Sequence, residues 1–338
     1  MMKRLLLITL LLLPLAASAK GGGFTEVIFG HIGDSYEWHI TKAGGKDIAI
    51  YLPVIVRTGG GKWLAFSSKH LLELSEGAYY QGLAIAPAGH RHEGKIVEAD
   101  GDRPLDLSIT KNVLSLFVGS ALLVLLVLLT ARWYRRHDSL RQSPKGIAAL
   151  MEPLVMMIHE MARENIGEAD YRRYSPFLLT AFMFILINNL LGIVPFFPGG
   201  ANLTGNIACT LALALFTFAT VNFTGTRHYY KEFINPDVPA PLKPIMGIIE
   251  VFSALVKPLS LTIRLFANML AGHIQMLCMV CIIFIMAKYG ALLLGGMSVI
   301  SVVFGIFLAV LEMLISFIQA YIFTMLSSIY IGLARTKE

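Results

Sequence analysis

The stretch KPLSLTIRLFANMLAGHIQML, residues 257–277, places a cation inside a sequence that otherwise suits a membrane helix. Arg264 has no acidic residue within thirteen positions on either side. A charge at mid-membrane costs at least about 2.5 to 3.5 kcal/mol, so it persists only where it has a function or can reach the interface. The stretch therefore indicates a membrane protein with a functional charge inside the bilayer.

The composition agrees with this interpretation. Of the 338 residues, 56% are apolar and only 15% are charged, which is typical of a chain that crosses the lipid bilayer several times. The net charge of +6 comes from basic residues beside apolar runs, where they orient helices, so we expect no nucleic-acid binding. Cys209, Cys278 and Cys281 all lie in apolar segments, so no disulfide framework is expected.

The first 105 residues divide into two predicted parts. Residues 1–19 have two basic residues, a short apolar core and a small-residue end, which predicts a cleavable signal peptide. The alternative, an uncleaved anchor, is disfavoured because the core is shorter than the roughly 20 residues of a membrane span. Residues 20–105 are polar and glycine-rich, and stretches such as 47–58 and 62–68 alternate like strands. They predict a small β-rich module outside the cytoplasm, in the periplasm.

Residues 106–338 form the predicted membrane domain. Residues 113–131 carry no charge and are followed by a basic segment, so the positive-inside rule directs this helix from outside to inside. Residues 147–166 are apolar but interrupted by charges, which predicts an amphipathic helix on the inner membrane surface. Two further uncharged runs, 176–197 and 201–226, predict two more crossings.

The last hundred residues are too long for simple crossings. Residues 289–334 contain a single charge, Glu312, and one helix of this length would measure about 69 Å against roughly 30 Å of hydrocarbon. The segment is therefore either two crossings or one very oblique helix. Gly290 and the pair Gly295 and Gly296 mark the expected breaks.

Polar residues share one face of the helix around Arg264. With successive residues about 100° apart, six further residues fall within about 40° of Arg264. They are Glu250, Ser253, Lys257, Ser260, Asn268 and Gln275. Such a stripe predicts an ion path, because each charge in lipid needs a reason to persist. The alternative, lysine and arginine side chains reaching back to the interface, explains Lys257 better than Arg264.

A second set of polar residues points to proton transfer. His273 lies on the opposite face from Arg264, at about 180°. In the final helix Glu312, Ser316 and Gln319 share a face. A carboxylate in lipid needs a partner, and an imidazole on an adjacent helix is the one we expect for Glu312.

Residues 258–272, PLSLTIRLFANMLAG, resemble the signature of subunit a of the F-type ATP synthase, approximately P-x-S-L-x-x-R-L-F-x-N-M-x-A-G. Glu250, the segment INNLLGIVP at 187–195 and the spacing from Glu312 to Gln319 strengthen the resemblance. It covers about residues 105–338. It implies an all-α polytopic membrane protein of about five transmembrane helices, whose last two form a long tilted hairpin, with the β-rich module outside the family core.

The resemblance also implies roles. Arg264 would be the essential arginine facing a ring of c subunits, with Asn268 and Gln319 beside it. His273 and Glu312 would form the proton inlet, assisted by Asn189, because Gly192 replaces an acid found in some relatives. The outlet to the cytoplasm would be lined by Glu250, Ser253 and Ser260.

The implied protein is a non-catalytic, proton-translocating stator subunit of the bacterial inner membrane. Its C-terminus would be cytoplasmic, and its partners would be the c ring and the b-subunit stalk. We expect no cofactor and no metal, because phosphate-binding glycine loops and catalytic triads are missing from the sequence. The alternatives are a proton-coupled secondary transporter, disfavoured because no internal repeat is visible, and a module on a simple membrane anchor.

Overall fold

A computed structural model describes residues 33–43, 46–74, 78–87, 90–138, 142–194, 199–234, 239, 243–286 and 291–335. The predicted signal peptide lies outside these ranges. The described chain forms two compact units. One contains the β-rich region and the adjoining helix up to Phe117, together with residues from 194–201 and 277–302, and the other contains most of the helices.

The β-rich region consists of short antiparallel pairs, as the alternating stretches predict. The strands are β1 (Glu37–Ala43), β2 (Lys46–Tyr51), β3 (Pro53–Arg57), β4 (Trp63–Ser67), β5 (Leu83–Ile85), β6 (Ile96–Glu98) and β7 (Leu105–Asp106), with a short helix α1 (Lys69–Leu72). They form the sheets β1-β2, β4-β3-β7 and β5-β6. Val54, Val56, Leu83 and Ile96 are fully buried and form the core with Tyr36 and Leu71.

Tyr36 ties this core to the end of the region. Its hydroxyl donates to the carboxylate of Asp106, and burial, followed by this hydrogen bond, raises the pKa of Tyr36 well above its usual range. The pairing with β3 also continues beyond the predicted boundary at residue 105. The backbone N–H groups of Leu107 and Ile109 donate to Ile55 and Pro53. The β-rich region therefore continues up to the first long helix.

The rest of the described chain is helical. The elements are α2 (Lys111–Arg136), α3 (Ile147–Ile166), α4 (Tyr171–Ile193), α5 (Ile207–Thr224), α6 (Arg227–Ile234), α7 (Lys243–Met286) and α8 (Ala291–Arg335). Five of these helices, α2, α4, α5, α7 and α8, are long and apolar enough to cross a membrane. The predicted fold class, a mostly helical protein with several membrane helices and a small β-rich N-terminal region, is confirmed.

The beginning of α2 is bonded directly to the β-rich region. The backbone N–H of Lys111 donates to the carbonyl of Ser35 at 2.9 Å, and that of Asn112 donates to Asp34 Oδ1 at 3.1 Å. The first N–H groups of a helix have no partner within the helix, so these two bonds serve as a cap. The side chains of Lys111 and Asn112 are themselves buried.

The expected break at Gly295 and Gly296 is wrong. Helix α8 runs from Ala291 to Arg335 through both glycines, while Gly290 lies outside the described residues. A glycine costs only about 1 kcal/mol in a helix interior, and the long apolar sequence around the pair favours continuation. Pro258 likewise lies inside a continuous α7.

Helix α4 lies at the centre of the helical unit. Leu178, Phe182 and Ile185 on this helix are fully buried, and their neighbours include Ile158 of α3 and Phe323 of α8. The outward faces of α7 and α8 are, by contrast, exposed and apolar, for example at Ile248 and Phe304. The unit thus packs around α4 and leaves the two long helices with broad free faces.

Candidate functional site

Three contacts between α7 and α8 show that the two helices are antiparallel and which residues lie opposite each other. Lys257 Nζ lies 5.5 Å from the centre of the Tyr330 ring, and Asn268 Nδ2 donates to Gln319 Oε1 at 2.7 Å. One turn further along α7, Gly272 lies against the Glu312 carboxylate. Positions rise along α7 as they fall along α8, so the two polar faces predicted from the sequence are brought together.

Arg264 lies one turn before Asn268 on α7. Its side chain is half-buried, and within the described part of the chain it has no carboxylate partner. Asn268, on the same face, is exposed. The guanidinium of arginine remains charged at all physiological pH values, so this position presents a permanent cation at the edge of the hairpin.

The remaining stripe residues lie on the same continuous helix. Glu250, Ser253, Lys257 and Ser260 are all half-buried, whereas Gln275 is exposed. Partial exposure along one line, between buried and lipid-exposed faces, is what a polar path requires. The structure therefore keeps the predicted stripe on one face of one helix.

Glu312 is buried, with only 7% of its surface exposed. Its Oε1 atom has no hydrogen-bond partner among the described residues. A Cβ atom at Gly272 would lie 2.6 Å from Oε1, so a larger residue there would force the carboxylate out of its present position. An unsatisfied buried polar atom costs about 1 to 3 kcal/mol, and in native proteins such atoms concentrate at functional sites.

Two more polar side chains continue the line along α8. Ser316 is fully buried, and its hydroxyl has no partner in the described ranges. Gln319 is 2% exposed; its oxygen accepts from Asn268, while its Nε2 is unsatisfied among the same residues. Glu312, Ser316 and Gln319 thus form a buried polar line facing α7.

His273 directly follows Gly272 and is half-buried. Gly272 contacts Glu312, so the His273 imidazole lies at the same level of the α7–α8 hairpin as the carboxylate. The direct exchange of a proton between His273 and Glu312 stays a prediction.

Asn189 forms a second polar centre on α4. It is fully buried, and the Thr204 hydroxyl donates to its Oδ1 at 2.7 Å. Its Nδ2 has no partner in the part of the chain that is described. The adjacent Asn188 is also buried, and a Cβ at Gly119 of α2 would lie 2.3 Å from its Oδ1. Helix α2 therefore approaches α4 closely at this amide.

The sequence did not single out Thr204 or Asn202, and it included Gly272 only as the last position of the signature. Thr204 is 1% exposed and Asn202 is 5% exposed, and the Asn202 amide nitrogen is unsatisfied within the described ranges. The signal for the first two was the polar run ANLTGN at residues 201–206, between two apolar helices. The role of Gly272 depends on what lies opposite it on α8, and no local pattern carries that information.

A small cavity lies beside Lys257, in the N-terminal half of the stripe. Its polar lining consists of Thr217, Asn222, Tyr229, Lys257 and Tyr330. Burial, followed by the nearby Glu250 carboxylate, raises the pKa of Tyr229 above its usual value. Glu250 lies one turn of α7 before Ala254, which also lines the cavity.

The described residues contain no group of three or more histidine, cysteine, aspartate or glutamate side chains placed to hold a metal ion. Carboxylate, imidazole and amide groups in lipid are suited to moving protons or ions.

Comparison with known proteins identifies the family. The profile of the ATP synthase A chain family matches residues 116–332. The chain is 44% identical over 261 residues to the ATP synthase subunit a of Pelodictyon phaeoclathratiforme, covering 75% of this chain and 73% of that protein. It is 38% identical over 257 residues to the ATP synthase subunit a of Myxococcus xanthus, covering 74% and 80%.

The β-rich region has its own match. The profile of a domain of unknown function covers residues 27–113, and it ends just before the first profile begins. The membrane helices from α2 onward all fall within or overlap the first match. By this match and by the identities of its relatives, the chain belongs to the family of the F-type ATP synthase subunit a.

Proposed function

We propose that Arg264, Asn268 and Gln319 form the rotor-facing centre of a proton path in this chain. As a member of its family the chain is the proton-translocating, non-catalytic stator subunit of the synthase membrane sector. One observation carries the residue assignment. The hydrogen bond between Asn268 and Gln319 joins the two polar faces one helical turn from an arginine that has no carboxylate partner in the described chain.

Arg264 acts on a carboxylate of the neighbouring c ring. A fixed guanidinium favours the ionised form of a carboxylate within about 4 to 6 Å, so each c subunit loses its proton as it passes. The same cation repels a free proton and prevents a direct leak between inlet and outlet. Lysine would serve less well, because its pKa falls on burial and it lacks the planar fork of arginine.

The inlet is formed by Glu312, His273 and Asn189. Glu312 is buried with an unsatisfied oxygen, which makes it a proton acceptor in a low-dielectric site. Asn189 and its partner Thr204 supply a further buried amide and hydroxyl. Because position 192 is a glycine and supplies no acid, proton transfer through the inlet depends more on these neutral groups.

The outlet follows the stripe of Ser260, Ser253 and Glu250 towards the cytoplasm. These side chains are half-buried along one face of α7, and Glu250 is near Tyr229 and the small cavity. A carboxylate at the end of the stripe can receive the proton and pass it to water.

The topology follows from the distribution of charge. Arg132, Arg135 and Arg136 end α2, and by the positive-inside rule they support a cytoplasmic position for that end and a periplasmic position for the β-rich region of a bacterial protein. Helices α7 and α8, of 44 and 45 residues, exceed the bilayer thickness and so lie tilted along the c ring. The c ring and the b-subunit stalk are the partners, H⁺ is the transported ion, and the C-terminus is cytoplasmic.

Replacement of Arg264 tests this function. In membrane vesicles that contain the assembled complex, ATP-driven proton pumping should fall at least about a hundredfold for Arg264→Ala, since the charge that organises the exchange is lost. Arg264→Lys should also pump poorly, because it lacks the fork. The control is Ile263→Ala, an exposed apolar neighbour on the same helix, which should pump normally. Unchanged pumping by Arg264→Ala would contradict the proposal.

A further inference from the structure

The last turn of α8 is joined to the rest of the helical unit by a forked ion pair. Arg335 donates from Nε and Nη2 to Asp170 Oδ2, at 3.0 and 2.8 Å, and from Nη1 to the carbonyl of Thr224 at 3.3 Å. Only 19% of the Arg335 side chain and 25% of the Asp170 side chain are exposed. One guanidinium thus joins α8 to the turn before α4 and to the end of α5.

The backbone is held at the same place. The N–H of Thr226 donates to the carbonyl of Ala334 at 2.9 Å. A Cβ at Gly332 would lie 2.1 Å from the carbonyl oxygen of Asn165, so α8 touches the end of α3 with no side chain between them. Ile331 and Ala334 are completely buried. The end of α8 is therefore enclosed on several sides.

Two further contacts of α8 near this end, with α5 and with the apolar core, are less directional. Near the same end, Ser327 and Thr217 share a hydrogen bond at 3.2 Å, and Phe323 packs in the apolar core. Apolar surfaces and rotating hydroxyls tolerate small shifts along a helix axis. A forked, charge-assisted hydrogen bond fixes both distance and direction.

A rigid helix carries this constraint to the proton path. Gln319 lies sixteen residues before Arg335, about 24 Å along the axis, and Glu312 lies seven residues further. A slip of one residue would turn every side chain of α8 by about 100° and shift it by about 1.5 Å. Gln319 would then lose Asn268, and Glu312 would leave the space at Gly272.

We propose that the Arg335 and Asp170 pair is the anchor that sets the axial position and rotation of α8, so that both are positioning residues for proton transfer. The inference rests on the proposed function, because its effect on pumping acts through Gln319 and Glu312. The pair lies at the C-terminal end of α8. Towards the N-terminal end, the outward-facing side chains from Val299 to Phe307 are exposed and apolar, and no comparable ion pair occurs there among the described residues.

The first test measures pumping by the assembled complex in vesicles. Asp170→Asn and Arg335→Gln should each lower the protons pumped per ATP hydrolysed by about three- to tenfold, because each removes one partner of a partly buried pair and so breaks the link between α8 and the turn before α4. The double variant should lose no more than the worse single, since either change already breaks the link. The matched control is Arg163→Gln with Glu168→Gln, an exposed ion pair near the same turn, which should pump normally.

The second test measures position without relying on proton transport. Asn268→Cys and Gln319→Cys, in a chain whose three native cysteines are replaced, are joined by a short bifunctional thiol reagent in intact membranes. Asp170→Asn should lower the cross-linking rate about threefold or more at equal amounts of chain, since the register is lost. Arg335→Lys, which keeps the charge without the fork, should lie between the wild type and Arg335→Gln in both measurements.

The outcomes separate the two proposals. Normal pumping and normal cross-linking in Asp170→Asn would overturn the anchor, even if Arg264→Ala abolishes pumping. Normal cross-linking combined with weak pumping would also overturn it, because the effect would not act through the register. Normal pumping in Arg264→Ala would instead contradict the proposed function, whatever the cross-linking shows.

Discussion

At the scale of single residues, the site depends on small side chains as much as on charged ones. Gly272 leaves room for the Glu312 carboxylate, and Gly119 leaves room for the Asn188 amide. In both cases helices approach closely where a polar group is buried. Glycine and other small residues allow such approaches between membrane helices, where packing provides most of the attraction.

Gly272→Ala should therefore impair the proton inlet without removing any titratable group. A methyl at this position would overlap the Glu312 carboxylate, and overpacking of this kind costs about 1 to 3 kcal/mol. We expect ATP-driven proton pumping in vesicles to fall about tenfold or more, with normal amounts of chain in the membrane.

Gly305→Ala provides the matched control for this change. Gly305 lies on α8, and a Cβ there meets no atom within 4 Å. The variant should pump normally, because alanine only improves the helix propensity. Equal pumping by the Gly272 and Gly305 variants would show that the close approach of Gly272 to Glu312 does not contribute to proton transfer.

At the scale of elements, some features follow from local sequence and others do not. The shared face of Arg264 and Asn268 was predictable, because helical periodicity applies along an unbroken helix. The break at Gly295 was predicted wrongly, since the local cost of glycine is outweighed by the environment of a membrane helix. The pairing of Asn189 with Thr204 could not be predicted, because it depends on how a turn folds back on a distant helix.

The cap at the start of α2 gives a prediction at this scale. Asp34→Ala removes the acceptor of the Asn112 N–H, and loss of a helix cap costs about 0.5 to 2 kcal/mol. Hydrogen exchange of the first turn of α2 should then become faster by about two- to thirtyfold, measured by mass spectrometry on the purified complex. Asp100→Ala, which removes an exposed acid of the same region, should leave exchange unchanged. Equal exchange in both variants would argue against the cap.

At the scale of the whole molecule, two family matches follow each other along the chain with almost no sequence between them. One profile ends at residue 113 and the other begins at 116. The charge pattern predicts that the β-rich region lies outside the cytoplasm and the basic segment after α2 inside it. This arrangement can be tested independently of activity.

Labelling from each side of the membrane should show the orientation. In a chain without its native cysteines, Ser67→Cys should react with a membrane-impermeant maleimide added outside spheroplasts, and Ser143→Cys should react only in inverted vesicles. Both serines are exposed. The expected difference in labelling is about tenfold or more, since the charged reagent does not cross lipid. The opposite pattern would reverse the predicted topology, and labelling of both positions from one side would show that the β-rich region and the segment after α2 lie on the same side of the membrane.

The cap at the beginning of α2 couples the motion of the β-rich region to that of the first turn of the helix. The segment that pairs with β3 passes into the helix within two residues of Ile109. The first two N–H groups of the helix donate to Ser35 and Asp34 of the β-rich region. The region cannot swing separately from the first turn of α2 unless those bonds break. A small rotation of that turn therefore produces a larger displacement at the far edge of the β-rich region. A spectroscopic label attached at that edge would report such a rotation during turnover.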